Sequence, residues 1–152
     1  MTVIAVKDGV MAADSHVFSG GTRHILPPGQ SKIWRSVRYG IVGTCGDSVD
    51  GQAIRRWVAD GMDFSNPPQL RNKIDDDESV CWLWLKPDGT CWRYGADMLG
   101  YEVSTPTALG YESACIMSET AMACGLTAVQ AVELTISRCV WVGGDVHSES
   151  IR

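Results

Sequence analysis

The 152-residue sequence has no apolar run approaching the length of a membrane span, which excludes a helical integral membrane protein. Residues 1–9 lack both the basic segment and the unbroken apolar stretch of a secretory signal, so the sequence places the protein in the cytoplasm. Positive charge is scarce. Against 18 Asp and Glu there are 13 Lys and Arg, and the net charge of −5 disfavours sequence-independent nucleic-acid binding. None of the six cysteines (Cys45, Cys81, Cys91, Cys115, Cys124 and Cys139) falls in a Cys-x-x-Cys pair, so neither a zinc ribbon nor a dithiol redox motif is indicated. A disulfide framework does not suit a cytoplasmic protein, and the cysteines read as small buried hydrophobes. His16, His24 and His147 are dispersed without metal-ligand spacing and read as loop or surface residues. No metal or other cofactor is expected. The pattern Gly-x-x-x-x-Gly-Lys-Ser/Thr is also missing, so any use of ATP belongs to a separate partner. The acidic run Asp75-Asp76-Asp77-Glu78 reads as a solvated loop rather than a cation site.

What is present suits one globular domain over residues 1–152. No Pro-, Gly- or Ser-rich linker divides the chain, and 45% apolar residues suffice for a substantial core. Asp8-Gly9 between two apolar runs predicts a hairpin with a type I′ turn, its first strand starting at Thr2. Residues 16–30 read as a loop with a short strand at His24-Ile25-Leu26. Strands are predicted over 32–35 and 39–45, the second suited to close approach of another backbone at its glycines. A helix follows, capped by Asp47 or Ser48 and ended by Gly61, with Val49, Ala53, Ile54, Trp57 and Val58 on one face. A helical turn is expected over 69–74.

Strands over 80–85 and 91–94 flank Pro87-Asp88-Gly89-Thr90. Trp82 and Trp84 then share one face, and Cys81, Leu83 and Leu85 the other. A strand over 101–104, a helix over 113–124 closed by Gly125, a helix over 128–139 opened by the Thr127/Gln130 capping box, and a strand over 145–151 complete an α+β domain.

The amino terminus carries the chemistry. Methionine aminopeptidases remove Met1 when the next residue is small, and Thr2 qualifies. The chain then opens on a threonine whose free α-amine, with a pKa of roughly 7.7–8.0, is a usable base at neutral pH. A hydroxyl and an activating base then share one residue, one known route to a nucleophile.

Thr2, Asp14 in Gly9-Val10-Met11-Ala12-Ala13-Asp14-Ser15, Lys32 in Ser31-Lys32-Ile33, and Gly46 in Gly43-Thr44-Cys45-Gly46-Asp47-Ser48-Val49-Asp50 follow one another in an order and spacing that resembles the proteasome β-subunit family. The likeness is to its short bacterial HslV-like branch of N-terminal nucleophile (Ntn) hydrolases, and it continues more faintly through Thr107-Ala108-Leu109-Gly110 to Gly143-Gly144. The resemblance implies a four-layer αββα sandwich and a threonine-type peptidase acting on peptide or unfolded protein. It implies that Thr2 attacks, Lys32 lies beside it, Asp14 holds Lys32, and the Gly46 N–H meets the oxyanion. Thr44 and Ser48 are expected to line the pocket for the residue preceding the cut. A homo-oligomeric ring and a separate ATP-dependent unfoldase follow from the same likeness.

The sequence also departs from the family. Tyr111 stands where a serine usually follows the glycine aligned with Gly110, which leaves Ser113 as the candidate supporting hydroxyl. Cys139 and Val142 stand where relatives often carry aspartate and serine. Taken singly, Asp14 reads equally as a strand end, Lys32 as a surface charge and Gly46 as a turn residue. Two other readings stay open: a catalytically inactive proteasome-like scaffold subunit, and an Ntn amidase acting on a small molecule.

Overall fold

The turn at Asp8-Gly9 sets the first register of the computed structural model, in which residues 1–19, 21–27, 29–71 and 79–152 are described. Both turn residues have positive φ, 52° and 76°, as a type I′ turn requires. Strand β1 (Val3–Lys7) therefore pairs antiparallel with β2 (Val10–Ala13), Lys7 opposite Val10. A second hairpin follows directly, β3 (His16–Ser19) with β4 (Thr22–Ile25). The short strand expected at His24-Ile25-Leu26 overlaps β4, while β3 corrects the loop expected around it. All four residues of β4 are exposed, so the strand buries no face and leaves no alternation to read in its sequence.

Strands β5 (Ile33–Ser36) and β6 (Gly40–Cys45) lead into α1 (Ser48–Ala59). Asp47 caps this helix, its carboxylate accepting the backbone N–H groups of Val49 and Asp50. Strands β7 (Cys81–Leu85), β8 (Cys91–Tyr94) and β9 (Gly100–Val103) complete a five-stranded antiparallel sheet in the order β5-β6-β7-β8-β9. The acidic run at 75–78 and half of the helical turn expected over 69–74 lie outside the described residues; residues 69–71 are not helical.

Strand β10 (Thr107–Gly110) was not expected. It joins the edge of β1 and gives a four-stranded sheet, β10-β1-β2-β11, with β11 (His147–Ser150) at the other edge. Four residues following Pro106 are too few to show a period. The strand is held by its ladder and by Glu119, whose carboxylate accepts the Ala108 N–H at 2.9 Å.

Helices α2 (Glu112–Ala123) and α3 (Ala128–Arg138) are joined by a Schellman closure. Gly125 N–H donates to the Met122 carbonyl and Leu126 N–H to that of Ala121. The capping box of Thr127 and Gln130 opens α3 as the sequence predicts. Ser113 at the start of α2 meets Cys139 just past α3, and Ser118 meets Thr135 midway, so the two helices run antiparallel.

Alternation along β1 and β2 divides the core. Val3, Ala5 and Ala12 pack with Ala114, Met122, Ala131 and Val132 of the helix pair. Their neighbours Ile4, Val6, Met11 and Ala13 pack with Ile33, Ile41, Leu83 and Leu85 of the five-stranded sheet. On the far face of that sheet, Val42 and Trp82 pack with Ile54, Trp57 and Val58 of α1, and Trp82 stacks on Tyr94 at 4.1 Å. The split of Trp82 and Trp84 from Leu83 and Leu85 is the one read in the sequence.

Of the two glycines of β6, Gly40 meets the expected backbone, that of Leu85 and Lys86, whereas Gly43 has a different role. A Cβ at Gly43 would press on the side chains of Met11, Ile33 and Ile4, so it is side chains of the facing layer, not a backbone, that demand glycine there. No helix among the described residues is long and apolar enough to cross a membrane.

Candidate active site

The tight β1–β2 hairpin that pairs Ile4 with Ala13 also brings the chain start beside Asp14. The Val3 N–H donates to Asp14 Oδ1 at 3.0 Å, and the Asp14 N–H donates to the Val3 carbonyl at 3.3 Å. Across the sheet, the Tyr111 N–H donates to the Thr2 carbonyl at 2.8 Å, so both sides of the first strand are clamped. Gly110 makes this clamp feasible. Its φ is +133°, and a Cβ there would run into the Thr2 carbonyl oxygen. Gly110→Ala is expected to lower stability by about 1–3 kcal/mol through backbone strain and to displace Thr2. A lower urea midpoint with unchanged slope would register the first effect.

Lys32 stands at the entrance to β5, its carbonyl accepting the Thr44 N–H of β6 at 3.0 Å. From there its side chain reaches through the layer between the sheets. Nζ donates to Asp14 Oδ1 at 2.7 Å and to the Met1 carbonyl oxygen at 2.9 Å. Lys32 is thus in contact with the carbonyl of the very bond whose removal would free Thr2. Asp14 is fully buried and Lys32 is 8% exposed. The other carboxylate oxygen, Oδ2, accepts the N–H groups of Gly143 at 3.1 Å and His16 at 3.3 Å. With Val3 on Oδ1, three backbone donors and one ammonium hold this carboxylate, which is the compensation a buried charge needs.

Burial pushes Lys32 below its usual 10.5, and Asp14 pulls it back up. At the chain start the Met1 α-amine is pushed below 8.0, first by burial and then by the Lys32 ammonium, with Asp14 acting the other way. Amine, ammonium and carboxylate therefore form one electrostatic unit.

The remaining sequence-predicted residues occupy two other places. Gly46, with φ +91°, makes the turn from β6 to the Asp47 cap of α1, where a Cβ would collide with the Ser79 carbonyl. Thr44 faces α1, since a Cβ at Gly51 would come within 2.8 Å of its hydroxyl, and Ser48 is the exposed first residue of that helix. Ser113 lies with its hydroxyl 3.8 Å from Cys139 Sγ, on the helix-pair side of the first sheet.

Three contributors were not named from sequence. Gly143 supplies an N–H to Asp14, and its carbonyl accepts from both Ser15 and His16. Tyr111 contributes only its backbone. His16, read as a loop or surface residue, is instead 4% exposed, with its ring against Gly143, where no side chain intervenes. Burial first, and then Arg23, hold it below the usual 6.5. The pairing of Gly143 with Gly144 was the one available signal for this region.

No family model matches the chain, and no curated protein matches it. Solved structures do. BPH of Thiobacillus denitrificans, determined in complex with epoxomicin, superposes with a TM-score of 0.67 at 20% identity, covering 99% of this chain and 98% of that one. HslV from Trypanosoma brucei superposes with a TM-score of 0.65 at 13% identity, covering 98% of each chain. The likeness to HslV suggested by Thr2, Asp14, Lys32 and Gly46 thus extends to the backbone: over nearly its whole length this α+β chain has the fold of HslV and of BPH.

Proposed function

We propose that this chain is a threonine-type peptidase of the proteasome/HslV-like kind, an Ntn hydrolase with a single αββα domain that works after loss of Met1. The observation that carries this reading is the position of Lys32 Nζ, held by buried Asp14 and in contact with the carbonyl of the Met1–Thr2 bond. The three core clusters, helix pair on sheet, sheet on sheet, and sheet on α1, support the four-layer arrangement.

In the mature chain Thr2 Oγ attacks a peptide carbonyl, and its proton passes to the Thr2 α-amine directly or through a water. The neighbouring ammonium favours the neutral amine and the developing alkoxide. The oxyanion is received by the Gly46 N–H at the start of α1, where the helix dipole adds positive potential. The amine then returns its proton to the leaving group, and water releases the acyl group from Thr2. Thr44 and Ser48, at the β6–α1 junction, face the residue preceding the cut, and Ser113 of α2 is the candidate supporting hydroxyl. The substrate is peptide or unfolded protein, enclosed in a homo-oligomeric ring in the cytoplasm and delivered by a separate ATP-dependent unfoldase.

A rate–pH profile on a fluorogenic peptide tests the proton inventory. Lys32 Nζ donates to the carbonyl of the bond that ends at Thr2 N, so the influences that depress the Met1 amine are expected to act on the freed Thr2 amine. The rate is expected to rise with pH through a midpoint below 8.0, as the amine becomes neutral. It should fall again through one below 10.5, as Lys32 loses its charge. A rising limb centred above 8.0 would contradict the assignment of the amine as base.

A further inference from the structure

Cys45 ends β6 and Cys81 opens β7, and the two are Cα partners at the last position of that antiparallel ladder. Strand alternation sends both side chains to the same face. They pack against the cluster between the two sheets, with Ile41, Leu83 and Leu85. Directly opposed residues of an antiparallel pair have Cα atoms about 4.5–5.5 Å apart, inside the range of about 4.4–6.8 Å that a disulfide spans. Neither thiol is in a disulfide, and both residues are partly exposed. They stand close enough for each to shift the other's titration. The Cys45 side chain first, and then Arg93, pull the Cys81 thiol down to about 6, while Cys81 and burial push Cys45 up. Cys81 is therefore the more nucleophilic member and Cys45 its resolving partner.

We propose that Cys45 and Cys81 are a modification site for peroxide-class oxidants, closing into a reversible cross-strand disulfide. Cys81 Sγ attacks a peroxide oxygen, the O–O bond breaks, and the departing hydroxide takes up the Cys81 proton and leaves as water, giving a sulfenic acid. Cys45 Sγ then attacks the Cys81 sulfur. The S–S bond forms, the S–O bond breaks, and the hydroxyl departs as water with the Cys45 proton. Two thiols and one hydrogen peroxide thus become one disulfide and two waters, and a dithiol reductant reverses the change. In a reducing compartment such a bond is transient and suits sensing rather than scaffolding.

The location gives the bond a target. Cys45 lies between Thr44, whose N–H holds the Lys32 carbonyl, and Gly46, packed against Ser79, two residues before Cys81. It is also close enough to Lys32 for the two to influence each other's charge. Joining the strand ends shifts the Gly46 turn and slows hydrolysis, a consequence that rests on the peptidase reading.

The test is hydrogen peroxide treatment of the full chain, followed by peptide mapping without reduction. The expected product is one linked peptide pair, Cys45 to Cys81, lost on adding dithiothreitol, absent in Cys81→Ser and retained in Cys115→Ser. Peptidase activity of the wild type is expected to fall at least fivefold and recover on reduction, with Cys81→Ser insensitive. A link through Cys115, oxidation of Cys81 without a link, or no reaction at either residue would overturn the proposal. The mapping needs no turnover: if the untreated protein keeps Met1 and cleaves nothing, the hydrolase reading fails while the linked peptide still decides the disulfide.

Discussion

Thr2→Ala is expected to bring peptide hydrolysis to background, a loss on the order of 10⁴–10⁶-fold in kcat, while leaving thermal stability within about 0.5 kcal/mol of wild type. The asymmetry follows from where the residue acts. Thr2 is held by its backbone, through the carbonyl clamped by Tyr111, and Ala makes the same hydrogen bond. Alanine is also small enough for Met1 to be removed, so the variant presents a free amine in the same place. Only the hydroxyl is gone. Steady-state hydrolysis of a peptide panel together with urea denaturation separates the two effects. Activity surviving within tenfold would mean that another group attacks.

Asp14→Ala has a different signature, because here stability and activity fall together. The substitution leaves the Lys32 ammonium buried without its carboxylate and takes the acceptor from the N–H groups of Val3 and Gly143 and one of two from His16. Breaking a buried pair in this way costs about 3–5 kcal/mol. Activity is expected to vanish as well, since an uncompensated buried lysine gives up its proton and with it the field on Thr2. Lys32→Met is the informative contrast. It leaves Asp14 its three backbone donors, so its cost in stability should be clearly smaller than that of Asp14→Ala while its loss of activity is as large. Equal and slight destabilisation of both variants, measured by urea unfolding, would show that the pair does not organise the chain start.

Much of this arrangement was legible in the sequence because it rests on local signals. Asp8-Gly9 fixes a turn type, and the turn fixes which residues of β1 and β2 face each core layer. Asp47, Gly125 and the Thr127/Gln130 pair mark helix ends with side-chain chemistry that depends on few neighbours. What stayed hidden was non-local. Strand β10 joins an edge and is tied there by Glu119, and His16 is buried because Gly143, far away in the chain, leaves room for its ring. The same holds at the site. Thr2, Asp14, Lys32 and Gly46 were found by their order along the chain, whereas Gly143, the Tyr111 backbone and the Cys45–Cys81 pairing exist only once the strands are in register.

The central claim is that one residue at the chain start supplies both attacker and base beside Lys32. Treatment with a peptide epoxyketone tests it most directly, because the ketone takes up a hydroxyl and the epoxide an amine. Intact mass and amino-terminal peptide mapping then read the outcome. The expected result is a chain lacking Met1 with one adduct confined to Thr2, and no adduct on Thr2→Ala. A chain that keeps Met1, or a processed chain whose Thr2 stays unmodified, would contradict it.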